Sequence, residues 1–545
     1  MHRKLAPALL LSTAIATVAL TACGGGGGAS GVASGGGSPP PTSSSHTDMT
    51  TYRDDVERTA ADTTESVLTP SNVNSSSFGL LRMLTVDGKV DAEPLYLSQL
   101  SVAGATHDVL FVATENDSVY AFDPQTGATL WHVSLLGSGE VASDDRGCDQ
   151  ITPEIGVTST PVIDTGAGPN GAIFVVAMSK DSSSNYYQRL HALDITTGAE
   201  LFSGPVVVSP TYASAAGGQQ TFSPGQYAER AALLLENGTV YTSWTSHCDI
   251  QPYSGWVVGY SESTLAQTAV VNIAADSNGG PSIWMSGGGL AADSSGNIYL
   301  LAANGDFDTT LSSSGLPQYG DYGNSFVKLA TSGGTLAVAD FFAPFNEVAE
   351  SAADEDLGSG GVLLLPDQTD SGGTVRHLMV GAGKDGNLYV INRDSMGEFS
   401  PSGNADWQEL DGVFGGGVFA SPAYFNGNLY YGGVGGPLQA FAVSGAKLST
   451  QPASATSTDF PYPGAAPAVS ANGTSDAIVW AVENGSPAVL HAYDATDLTQ
   501  ELYNSNQAAG GRDNFGDGNK FITPAVADGM VFVGTTDGVA VFGLL

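Results

Sequence analysis

Cys148 and Cys248 are the first residues whose type suggests chemistry. They are two of only three cysteines, and an oxidising compartment would hold them as a pair. Such a bond closes a loop of about 100 residues, a contribution of about 4 to 5 kcal/mol on the chain-entropy account. His247, Cys248 and Asp249 stand together, but no second Cys/His cluster lies at zinc-ligand spacing. No serine sits in G-x-S-x-G, so the usual nucleophile turn of a hydrolase is missing. No Cys-x-x-Cys-His offers a haem attachment, and neither phosphate-loop pattern occurs. Taken alone, Asp354-Glu355-Asp356 reads as a solvated acidic loop and Trp284 as a packing aromatic. Asn304-Gly305 and Lys384-Asp385-Gly386 read as turns.

The elements that position these residues follow from a repeat. Ala121 to Trp131 reads AFDPQTGATLW, a strand, a turn on Thr-Gly and a tryptophan opening the next strand. The phrase returns at Ala192 to Phe202 as ALDITTGAELF and at Ala492 to Leu498 as AYDATDL. With Phe122, Leu193 and Tyr493 as centres, fainter copies fall at Tyr260, Leu329, Ile391, Phe441 and Val541. Their spacing of about 50 to 70 residues, with four short strands per unit, predicts an all-β, eight-bladed β-propeller of four-stranded blades. Seven blades are the alternative if the copy at Leu329 or Ile391 is not a whole blade. Small-residue segments such as GVTSTPVID (156–164), GSGGVLLLP (358–366) and FITPAVADG (521–529) read as innermost strands, where only small side chains fit. The chain ends just after AVFGLL (540–545), so SFGLLRML (77–84) is expected to complete the last blade and close the ring.

The repeat phrase resembles that of the pyrroloquinoline-quinone (PQQ) propellers, the quinoprotein alcohol dehydrogenase family. The resemblance implies a tryptophan under the quinone ring, here Trp284 in IWMSGGGLAAD, and a calcium-binding asparagine, here Asn304 in AANGDFD. It further implies a catalytic base at Asp356 or Asp354, and at Lys384 a contact to the quinone oxygens. The chain departs from the pattern in two places. No adjacent cysteine pair exists to roof the quinone, and the stretch 179–189 offers only Asp181 where the family has a calcium-binding glutamate. Glu154, in PEIG, is the substitute metal ligand at the same edge. With half the expected grip on PQQ and calcium missing, the sequence points to a non-catalytic binding or scaffold module. An envelope protein, a glycan or a small molecule would bind its axial face. The alternative is a calcium- and PQQ-dependent alcohol or sugar oxidoreductase. Outer-membrane assembly propellers resemble this chain in repeat type and lipid anchor.

Residues 1–23 read as an address. His2, Arg3 and Lys4 precede the uncharged apolar run Leu5 to Leu20, which is too short for a stable span. Leu20-Thr21-Ala22-Cys23 resembles a bacterial lipobox, which makes Cys23 the lipidated N-terminus of a mature lipoprotein. Gly24 after it resembles the pattern of lipoproteins sent to the outer membrane. The expected location is thus the cell envelope, with membrane contact through the N-terminal lipid only. Residues 24–65, opening Gly/Ser/Pro-rich, read as a disordered tether, and 66–545 as the propeller. With 55 acidic against 17 basic residues and a net charge of −38, the chain lacks the basic face that nucleic acid needs.

Overall fold

The computed structural model describes residues 47–277, 279–331 and 335–545. The leader, Cys23 and the greater part of the expected tether lie outside the described residues. Eight sheets succeed one another along the chain, in blades over 95–134, 162–207, 234–272, 291–342, 363–410, 423–460, 468–504 and 525–544. Each takes the order of an antiparallel meander. The eight repeat centres, from Phe122 to Val541, all fall on third strands, so the copies at Leu329 and Ile391 are whole blades. Phe78–Thr85 pairs antiparallel with Gly538–Leu544 as the outermost strand of blade 8. The two ends of the propeller are thereby joined in one sheet, and its last edge is covered.

Hydrophobic packing runs between blades as well as within them. One cluster joins Tyr299 and Phe326 of blade 4 to Met379 and Tyr389 of blade 5, and another joins Phe174 of blade 2 to Trp256 of blade 3. Aromatic and β-branched residues fill these contacts, as alternation on half-buried strands requires.

The tether boundary drawn at residue 65 is corrected by the structure. Residues 47–65 are ordered and form a strap wound inside the ring, meeting every blade. Met49 exchanges backbone hydrogen bonds with Tyr96 of blade 1 (2.7 and 3.0 Å), and the Thr50 carbonyl accepts from Ile163 N of blade 2 (2.7 Å). Val56, Glu57, Thr59 and Ala60 carbonyls accept from Ala292, Leu364, Tyr424 and Val469, one in each of blades 4 to 7, at 2.8 to 2.9 Å. Arg58 donates to Leu233 O at the entrance of blade 3 (3.3 Å), and Glu65 accepts from Gly529 N of blade 8 (2.8 Å). The inner strands present unpaired backbone groups to the axis, and the strap satisfies them.

Two arginines pin the strap. Arg58, with no exposed surface, donates to Leu290 O, Thr51 Oγ1 and Tyr52 O, each at 2.8 Å. Arg53, also buried, donates to Pro467 O at 2.9 Å and to Pro422 O. Carbonyl oxygens rather than carboxylates take most of this charge.

The described chain holds one α-helix, Glu347–Ala353, between blades 4 and 5. Nothing in the repeat announced it. It ends at Asp354 in a left-handed conformation (φ 62°), so the chain turns sharply just where the acidic trio begins.

Candidate active site at the axial cavity

Connections that lead into the inner strands and loops between second and third strands converge at one end of the axis. Together they line a cavity of about 380 Å³. Trp284, Asn304, Asp354, Asp356 and Lys384 all face it. Five residues spread over 101 positions of sequence are thus brought to one place by blades 4 and 5 and the connections leading into them. The strap closes the axis below: Tyr52 lines a narrow neck of about 20 Å³ that shares Arg230, Lys520 and Phe521 with the cavity. The site is a cup rather than a tunnel.

Trp284 enters from a turn in which Met285, Ser286 and Gly287 all have positive φ (45°, 49° and 86°). Strain of this kind persists only where the surroundings hold it. Here Met285 and Ser286 are buried, and Ser286 Oγ donates to Ser359 O at 2.7 Å. Phe419 and Phe521 meet the indole at interplanar angles of 67° and 89°, so neither stacks on it. Lys384 Nζ stands 5.8 Å from the ring centre.

The acidic corner is firmly held. Asn304 N donates to Asp356 Oδ1 at 2.7 Å and Asn304 Nδ2 to Asp354 Oδ1 at 3.0 Å. Gly305 follows at φ 146°, and a Cβ there would lie 2.4 Å from Pro281 N, so only glycine lets Asn304 sit here. Buried Asn324 clamps both flanks of Asp356, donating to Glu355 O and accepting from Leu357 N. Lys384 Nζ lies 2.5 Å from Asp356 Oδ2 and 3.0 Å from Asp354 Oδ2. Burial pushes the Asp356 carboxyl up, against the pull of Lys384. Burial works against the Lys384 charge in turn, but Asp356 and Asp354 hold that ammonium above its usual range. Asp356 is buried, whereas the Asp354 side chain is 78 % exposed, so the better-positioned base is Asp356.

The opposite wall carries residues that no motif announced. Arg230 is buried, makes no ion pair among the described residues, and lies 4.8 Å from the Phe521 ring centre. Lys520, Tyr253 and Tyr462 complete this side. The one available signal was scarcity: with Lys384 across the cavity, three of 17 basic residues line it in a chain of net charge −38. Cys148 and Cys248 are joined in a disulfide, with Cα atoms 5.7 Å apart. Their neighbours Gln150 and Asp249 hydrogen-bond to each other at 3.1 Å and line the cavity, so the disulfide ties two connections into one rim.

Glu154 does not join the site. It is absent from the cavity lining and lies near Asp87 and Asp117, between blades 1 and 2. Closeness along the chain to Gln150 did not translate into closeness in space, because the chain passes inward at Ile155 and Gly156. Among the described residues no three His, Cys, Asp or Glu side chains gather as a metal site. The place between Asp354 and Asp356 that a cation would take is filled by the Lys384 ammonium. The donor set therefore does not fit calcium. It is better suited to a planar anion: an indole that no aromatic ring stacks on, and two lining cations without an ion pair among the described residues, Arg230 and Lys520.

Comparison with known proteins agrees with the blades. The family model described as outer membrane protein assembly factor BamB, a PQQ-repeat model, matches residues 89–246. The repeat is of the PQQ type. Quinohemoprotein alcohol dehydrogenase from Comamonas testosteroni is similar in structure over 91 % of this chain and 80 % of its own, at 15 % identity and a TM-score of 0.58. Quinohemoprotein alcohol dehydrogenase ADHIIG from Pseudomonas putida HK5 covers the same shares at 14 % identity and 0.57. A europium-containing methanol dehydrogenase matches over 91 % of this chain and 98 % of its own, at 13 % identity and 0.56. At these identities the likeness is one of fold. No curated protein matches in sequence. The PQQ-repeat propeller is thus a scaffold common to an assembly factor and to dehydrogenases, and function has to be read from the site.

Proposed function

We propose that the axial cavity binds a planar, anionic quinone of the PQQ class and that the protein is an oxidoreductase acting on an alcohol or sugar hydroxyl. The observation that carries this reading is the convergence of Trp284, Asn304, Asp356 and Lys384 on one cup. The indole offers an unstacked face, and Arg230 and Lys520 offer charge to carboxylates. The quinone, when bound, supplies the two-electron acceptor. The chain's own part is to orient the substrate and take a proton: Asp356 Oδ2 receives it from the hydroxyl, and burial raises its basicity while Lys384 keeps it ionised. The disulfide-tied rim and the strap keep bulk water to a single mouth. No step is routed through calcium, since the ammonium occupies the place a metal would need.

The test is thermal unfolding of residues 47–545 with PQQ, with and without calcium. A ligand at 100 times its Kd adds about 2.7 kcal/mol, or roughly 3 °C for a chain of this size. A shift that needs no calcium and vanishes in Trp284→Ala supports the reading; no shift at saturating PQQ overturns it.

A second reading is favoured by the match to the assembly-factor model: an envelope scaffold whose axial face binds a protein or glycan partner. On that reading the outer membrane is the location and Cys23 the lipid anchor. No helix among the described residues is long and apolar enough to cross a membrane. Radiolabelled palmitate incorporated by the full chain and lost in Cys23→Ser tests the anchor independently of the cofactor.

A further inference from the structure

Lys520 sits where the cavity narrows into its neck, and it lines both. Its ammonium has unusual company. Arg230 is beside it, Lys89 is near, and the Phe521 ring centre lies 5.7 Å away. Its one hydrogen bond goes to Asp149 O at 3.4 Å, and no carboxylate forms an ion pair with it among the described residues. Asp91, the nearest buried acid, is already engaged by Lys89 at 3.1 Å and by Asn519 Nδ2 at 2.5 Å. Asp354 and Asp356 belong to Lys384. Lys384 is therefore a neutralised cation on one wall, and Lys520 an uncompensated one on the other.

We propose that Lys520 is a nucleophilic amine of this cavity, placed to form an imine with an aldehyde or ketone that carries a negative charge for Arg230 to receive. Two features make the geometry productive. Arg230 is buried, lines the cavity and forms no direct ion pair among the described residues, the charges of Asp91 and Glu115 reaching it only from a distance, so a carboxylate or phosphate in the cavity would be its first direct anionic contact. The Phe521 ring sets an apolar face beside both cations, 4.8 Å from the Arg230 guanidinium and 5.7 Å from the Lys520 ammonium. The reaction balances simply. The neutral amine adds to the carbonyl carbon, the carbinolamine loses water, and the C=O bond is exchanged for C=N with no oxidant consumed.

The electrostatic setting agrees. Burial, then Arg230, then Lys89 lower the Lys520 amine to about 8, against the weaker opposing pull of Asp91 and Asp149. An ordinary lysine titrates near 10.4, so at pH 7.5 the neutral fraction at Lys520 is larger by about two orders of magnitude. The inference shares Arg230 and Lys520 with the quinone reading but needs nothing from Trp284, so adduct formation at Lys520 and the thermal response to PQQ fail independently.

The probe is pyridoxal 5′-phosphate with sodium cyanoborohydride, which reduces the imine to a stable secondary amine that peptide mass spectrometry can place. Residues 47–545 carry six of the seven lysines, which serve as internal controls. The expected result at pH 7.5 is one dominant adduct, on Lys520, forming at least tenfold faster than on half-exposed Lys328 or exposed Lys447. Its rate should reach half-maximum near pH 8. Lys520→Arg keeps the charge and should lose that adduct alone, with unfolding unchanged as the check on folding. Benzaldehyde, which lacks the anion, should label Lys520 at least fivefold more slowly than the phosphate-bearing aldehyde. Labelling spread over the lysines in proportion to exposure, or a half-maximum above pH 10, overturns the proposal. Equal rates for the two aldehydes overturn the role given to Arg230.

Discussion

The two ends of the propeller axis both gather cations, and they use them in opposite ways. At the strap, Arg53 and Arg58 are buried and spend their donors on backbone carbonyls from the strap itself and four other parts of the chain. At the cup, Arg230 and Lys520 line a cavity and form no direct ion pair among the described residues, with Asp91 acting on both only from a distance. Burial alone would not separate the two sets, since Arg230 is nearly as buried as Arg58. What separates them is the partner. A cation answered by main-chain oxygens holds a fold together, whereas a buried cation left unanswered beside a cavity is waiting for a ligand.

The comparison is broken most severely by removing the strap. A chain beginning at residue 66 should fail to give a folded monomer, because inner strands of several blades lose backbone partners at once. Recovery of a soluble chain with native near-ultraviolet circular dichroism would show that the ring closes without the strap. Next in size is Arg58→Ala, which orphans at least three carbonyls and leaves a void. A loss of about 3 to 5 kcal/mol by denaturant unfolding is expected, while the PQQ shift at the cup persists. A pH effect follows. Burial raises the Glu93 carboxyl to about 8, opposed by Arg53 and Arg58. Its folded value lies above its unfolded one, so its contribution is full below about pH 4.3 and is lost as pH rises through 8. Between pH 5 and 8 the melting temperature should fall by several degrees, and Glu93→Gln should flatten that slope. The smallest effect on stability belongs to the cup. Trp284→Ala should cost no more than about 1 to 2 kcal/mol, since its side chain is only half-buried, yet it should abolish the response to PQQ. A large stability loss without loss of ligand would exchange the roles of the two ends.

The blades were legible because each announces itself locally. Phe122, Leu193 and Tyr493 mark third strands in a phrase of eleven residues or fewer, and closure by 78–85 follows from a last blade one strand short. The strap was not legible. Thr47 to Glu65 is mostly polar and passes for tether, because its burial depends on partners hundreds of residues away, as with Ala60 and Val469. The cup was half legible. Trp284, Asn304, Asp354, Asp356 and Lys384 lie at recognisable points of the repeat, whereas Arg230, Lys520 and Tyr253 sit in connections whose sequence carries no period. The helix at Glu347–Ala353 belongs to the same class of insertion, and it is what turns the acidic trio toward Lys384.

The strap has a bearing on how this molecule can change. Propellers are repeats, and gain or loss of one repeat is the simplest alteration open to such a chain. Here each blade is matched by its own atom on a single segment, from Met49 at the first to Glu65 at the eighth. A ninth blade would find no counterpart on that segment, and a seventh-blade ring would leave one idle and buried. The segment therefore acts as a template for the number eight, and duplication within the ring would have to be accompanied by a second insertion far away in the chain.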